Sequence, residues 1–126
     1  MNKRFSFIFL EEAVEFIENL DKKSKEKVLY NLNLATMKND KNLFKKLTDD
    51  IWEFRTLYNK QALRLFAFWD KIDKEDTLVV CTHGIVKKTQ KIPKAEIEKS
   101  ERLRKEYFEI KALENEENKK DEDGKS

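Results

Sequence analysis

A chain of 126 residues has the size of one domain and leaves little room for a second independent core. Charged residues make up 41% of it and apolar residues 39%, including nine Phe, two Trp and three Tyr, so the expected core is small and aromatic-rich. One cysteine and one histidine exclude an internal disulfide framework and offer too few ligands for an ordinary zinc site, which leaves open only a carboxylate-only magnesium site.

The N-terminal stretch MNKRFSFIFLEE turns acidic before a signal-like apolar region develops, and no apolar run approaches the roughly 20 residues of a membrane span. The expectation is a cytoplasmic protein with no membrane contact and no cofactor. The net charge of +2 conceals an uneven distribution. Four lysines and no acid lie between Lys87 and Lys94, whereas Glu114 to Ser126 holds six acids against three lysines. That separation points to a basic working surface and a solvated acidic tail.

In chain order, residues 5–10 (FSFIFL) read as a first strand. Leu10, Ala13, Val14, Ile17 and Leu20 then recur at helical spacing and break at Asp21. Residues 22–38 carry Val28, Leu29, Leu32, Ala35 and Thr36 on one face, a second helix that ends in Asn39-Asp40-Lys41-Asn42. Three segments rich in aromatic and branched residues follow: 51–58, 62–69 and 77–86. Their separators, Asn59-Lys60 and residues 71–76, suit antiparallel connections. Pro93 opens a third helix over about 93–111, with Ile97, Ser100, Leu103, Tyr107 and Ile110 at helical spacing.

The order strand, helix, helix, three strands, helix predicts an α+β fold, a small antiparallel sheet with helices packed on it around one shared core and its other face partly open. One domain over 1–112 is expected. Residues 113–126 hold no apolar side chain after Leu113 and are expected as a disordered tail.

Alternation within the strands places Ala62, Arg64, Phe66 and Phe68 on one face, and Ile51, Glu53, Arg55 and Leu57 on one face of the strand before. A strand arginine must meet water, a carboxylate or an anionic ligand. Either arginine alone fits a structural pair, Arg55 with Glu53 for example. Two of them on adjacent strands, followed by the run THGIVKKTQK, concentrate cations whose donors suit phosphate oxygens. His83 near a strand end is more often a hydrogen-bonded structural residue than a catalyst. Cys81 reads as a small buried hydrophobe, and Tyr107 as core or as a base-stacking platform.

The segments IWEFRT, ALRLFAFW and LVVCTHGIVKKTQKIPKAEIEKSERLRKEY closely resemble the phage-derived, HigB-like branch of the RelE/ParE toxin superfamily, over roughly residues 43–108. Ile85 departs from the aromatic residue usual there, and the acidic tail lies outside the pattern. The resemblance implies a RelE/ParE-like fold and the toxin of a type II toxin-antitoxin system that cleaves mRNA on the ribosome. It also implies a cognate antitoxin as partner, often of helix-turn-helix type. Carried over by motif, Arg55, Arg64, His83, Lys87 and Lys88 are the functional candidates: Arg55, Arg64, His83 and Lys88 as catalytic, and Lys87, with the neighbouring Lys91 and Lys94 of the basic run, for RNA phosphate contact. With no metal hydroxide, the simplest nucleophile is the RNA's own 2′-OH. Two other classes stay open: a non-catalytic poison of a protein such as DNA gyrase, and a plain RNA-binding module.

Overall fold

The computed structural model describes residues 3–71 and 77–123. Eight elements follow one another: β1 (Ser6–Phe9), α1 (Glu11–Glu18), α2 (Lys22–Met37), β2 (Phe44–Lys46), β3 (Trp52–Tyr58), β4 (Gln61–Asp70), β5 (Leu78–Lys87) and α3 (Lys94–Asp123). The α2 helix starts where Asp21 accepts a hydrogen bond from the Ser24 backbone amide at 2.6 Å, satisfying one of the first-turn donors. The β3–β4 hairpin closes through Asn59 and Lys60, both at positive φ, as a two-residue turn between strands of right-handed twist requires.

The five strands form one sheet in the order β1-β5-β4-β3-β2. Two features differ from the expected antiparallel four-stranded sheet. Residues 44–46 add a short edge strand, paired antiparallel to β3 with Phe44 opposite Phe54. At the other edge β1 runs parallel to β5, so the sheet is mixed. The chain is held in this arrangement from outside the strand: Arg4 donates to the carbonyls of Ala35 and Lys38 at the end of α2, and the Ser6 and Leu10 amides donate to Thr77 and Cys81.

The layers also differ from the one shared core expected. Helices α1 and α2 cover one face, where Ala13, Ile17, Val28, Leu32 and Ala35 meet Leu63, Leu65, Ala67, Val79 and Cys81. The third helix lies on the opposite face, with Ile97, Tyr107 and Phe108 against Ile51, Phe66, Phe68 and Val80. Strand β4 is therefore buried on both sides, which explains its nearly unbroken apolar run LRLFAFW.

Helix α3 continues past the expected end near 111 to Asp123, so residues 113–123 of the expected tail are helical, and 124–126 lie outside the described residues. Glu and Lys are good helix formers, and a helix satisfies its backbone locally without needing an apolar face. Among the described residues no helix is long and apolar enough to cross a membrane.

Candidate functional site

Strand register, more than sequence distance, assembles the cationic residues. Arg55 on β3 stands directly opposite Arg64 on β4, and Arg64 stands opposite Ile85 on β5. The next cross-strand row is Leu57, Ala62 and Lys87; the row on the other side is Glu53, Phe66 and His83. All nine residues project toward the face that α3 partly covers. The helix lies over the His83 side of this array, while Leu57, at the Lys87 side, is 73% exposed.

One of the two guanidinium groups in this array pairs with a carboxylate. Arg64, only 6% exposed, places Nε 3.1 Å from Oε1 of Glu53, which is 4% exposed. The pair is close but off the line of a hydrogen bond, so both atoms remain unsatisfied as donor and acceptor, as does Nε of Arg55. Arg64 also donates through Nη1 to the Leu63 carbonyl at 3.1 Å. Burial pushes the Arg64 pKa below its ordinary value, Glu53 opposes that shift, and Arg55 adds to it. Glu53 thus pairs with Arg64 and not with Arg55, the partner the sequence offered. The row is left with an excess of positive charge on half-buried Arg55.

Lys87 ends β5 half-buried on the same face, and Lys88, Lys91 and Lys94 are exposed along the segment that leads into α3. Thr89 donates to the Lys91 carbonyl at 2.6 Å and so shapes that segment. Lys94 lies 3.9 Å from Glu98, a fully solvated contact that leaves its charge available.

His83 occupies a different environment. Phe66 pairs with His83 and Ala67 with Cys81, so Thr82 is an extra residue in β5. This bulge resets the alternation: Cys81 faces α1 and α2, whereas His83 turns toward α3 and stacks on Phe66 at 4.9 Å. The ring is 3% exposed. Its Nδ1 lies 3.0 Å from Thr82 Oγ1, which is also 2.9 Å from Ser100 Oγ, and its Nε2 lies 3.5 Å from a Glu96 carboxylate oxygen. Burial pushes the His83 pKa below its ordinary value; Glu96 opposes this, Lys99 adds to it, and Glu12 opposes it. Glu12 itself forms an ion pair with Lys99 at 2.6 Å.

The structure thus groups Arg55, Arg64 and Lys87 on one face, strings Lys88, Lys91 and Lys94 along the adjoining segment, and places His83 beneath α3. Glu53, Thr82, Glu96 and Ser100 complete these networks. Their signals in the sequence were the Glu two residues before Arg55 on one strand face, and the PKAE opening of α3. Cys81 is fully buried, with its thiol pKa pushed up by desolvation, as a packed hydrophobe. Tyr107 is core: it meets Phe68 edge-on at 5.3 Å and donates to Asp70 at 2.7 Å. Among the described residues no group of three or more His, Cys, Asp or Glu side chains is arranged to hold a metal ion.

Residues 15–105, more than two thirds of the chain, match the family described as phage-derived protein Gp49-like (DUF891). No curated protein and no solved structure matches the chain.

Proposed function

Because the chain belongs to the phage-derived Gp49-like family, we propose that it is a toxin, and that it acts as a ribosome-dependent endonuclease on mRNA. The observation that carries this reading is the register-opposed pair Arg55 and Arg64, served by the single carboxylate of Glu53 and bordered by the lysines of the β5 exit. An excess of guanidinium and ammonium groups on one partly open face suits an anionic, phosphate-bearing substrate.

In the proposed reaction the 2′-oxygen of one nucleotide attacks the adjacent phosphorus and the bond from phosphorus to the 5′-oxygen breaks. The products are a 2′,3′-cyclic phosphate and a 5′-hydroxyl. Arg55 and Lys87 contact the phosphate, and Arg64 contributes its charge from beneath. Lys88, Lys91 and Lys94 hold the flanking backbone. The 2′-hydroxyl proton passes to Lys88, next to Lys87 in sequence, in its neutral amine form; the departing 5′-oxygen takes a proton from water, and the Lys88 ammonium so formed returns a proton to the resulting hydroxide. His83, stacked and enclosed, is assigned to fixing α3 against β5. The antitoxin, a helix-turn-helix protein in this reading, silences the toxin by covering the basic face.

The test is to add the protein to a defined message with and without translating ribosomes and map the new 5′ ends. Cuts within codons only on ribosomes are expected. Arg55→Ala and Arg64→Ala should each lose about a hundredfold in rate, the scale of removing one donor from a charge-stabilising site. Intact message in both conditions would sink the nuclease and bring forward a poison of a protein target. Bound but uncut RNA would leave a binding module.

A further inference from the structure

At the end of the sheet remote from Lys87, strands β2, β3 and β4 meet the middle of α3 around an open cleft of about 690 Å3. Every apolar side chain lining it is aromatic: Trp52, Trp69 and Phe108. Its charged lining is Lys46, Lys71 and Arg104 against the carboxylates of Asp49 and Asp50, a net excess of one positive charge. The two indoles stand edge to face, 5.8 Å apart at 81°. Trp52 turns its inner face onto Phe44 at 4.8 Å, which fixes that ring in place.

Cations attend these rings on the cleft side. The Lys71 ammonium lies 5.5 Å from the centre of Trp69, and the Arg104 guanidinium 5.3 Å from that of Phe108. Their carboxylate partners hold them weakly. Lys46 is 3.9 Å from Asp49 and Arg104 is 3.5 Å from Asp50, contacts open enough to solvent to contribute little. Exposed Lys71 and half-buried Arg104, which also lies 3.9 Å from Glu101, can swing to a phosphate and leave a π-face for a base.

We propose that this cleft is a second binding site for single-stranded RNA, with unstacked bases on Trp52, Trp69 and Phe108 and flanking phosphates on Lys46, Lys71 and Arg104. The proposal rests on RNA being the substrate and adds where the strand continues beyond the reacting bond. Strand β4 joins the two places: Arg64 and Trp69 are five residues apart along it, about 17 Å at strand rise, and on opposite faces, so the RNA passes round the end of the sheet beside Phe108 to reach the indoles. The other large groove, between the start of α1 and α3, does not have this chemistry. It is floored by Leu10, Leu103 and Ile110, and its four glutamates, Glu11, Glu12, Glu106 and Glu114, outweigh Lys111 and repel a phosphate backbone.

The chain's two tryptophans both line the cleft, so intrinsic fluorescence reports on it directly. The probe is a short 2′-O-methyl oligoribonucleotide, which cannot be cut through its 2′-oxygen. Saturable quenching is expected, weakened by salt and roughly tenfold weaker in a Lys71→Glu/Arg104→Glu variant, because charge reversal removes phosphate contacts. Lys23→Glu, exposed on α2 and outside the cleft, should leave it unchanged. No quenching by a protein that still cuts message on ribosomes overturns the cleft and spares the nuclease. Quenching without any cleavage supports the cleft and overturns the nuclease. Equal quenching in the charge-reversed variant, shown folded by circular dichroism, overturns the assignment to this cleft.

Discussion

Replacing Glu53 by glutamine isolates the electrostatics of the arginine row. The substitution keeps the shape of the side chain and removes its charge from a place where both partners are nearly inaccessible, with side chains 7% and 5% exposed. At the observed 3.1 Å separation and an effective dielectric constant of about 20, the lost attraction is about 5 kcal/mol. Breaking a buried pair by removing one partner typically costs about 3–5 kcal/mol, because the remaining charge stays buried, so both routes give the same scale. Arg55, directly opposite Arg64, makes the unpaired state worse. Urea unfolding followed by circular dichroism should therefore show Glu53→Gln destabilised by about 3–5 kcal/mol. A double variant, Glu53→Gln with Arg64→Met, should recover most of that loss, since the penalty belongs to the orphaned charge. A loss under about 1 kcal/mol in the single variant, or a double variant no more stable than the single, would refute the account of Glu53 as the compensating charge.

Two further outcomes follow from the packing around β5. A Cβ on Gly84 would fall within the Phe16 ring of α1, so Gly84→Ala should lower stability by about 1–3 kcal/mol in thermal unfolding, while an unchanged midpoint would mean that α1 does not sit this close. His83 has a folded-state pKa depressed mainly by burial, with Glu96 and Glu12 opposing and Lys99 assisting. Its neutral form is the one the fold accepts, so stability is full above the ordinary value of 6.5 and falls as pH drops below it. Unfolding at a series of pH values should show that loss in the wild type and a flatter profile in His83→Gln; parallel profiles would remove His83 as the cause.

Much of the fold was legible because helix and strand periodicities are local. The stripe from Ile97 through Tyr107 marked α3, and period-two alternation placed Arg55 and Arg64 with their correct strand neighbours. The short strand at 44–46 was missed because three residues carry too little pattern, and its identity comes from pairing with β3. Glu53 was visible as a possible partner, but two arginines competed for it. Register gives it to Arg64, diagonally across the hairpin, a separation that the long arginine side chain spans.

The sequence by itself determined the order of every element except the strand at 44–46, and the faces on which Arg55 and Arg64 lie, because these follow from residue spacing along single segments. Only the tertiary structure decided that α3 covers the face opposite α1 and α2, that β1 lies parallel to β5, and that Thr82 bulges so that His83 turns under α3. Each of those depends on hydrogen bonds and apolar contacts between distant parts of the chain. A one-residue bulge exchanges the two faces for every side chain beyond it without changing the pattern of residue types.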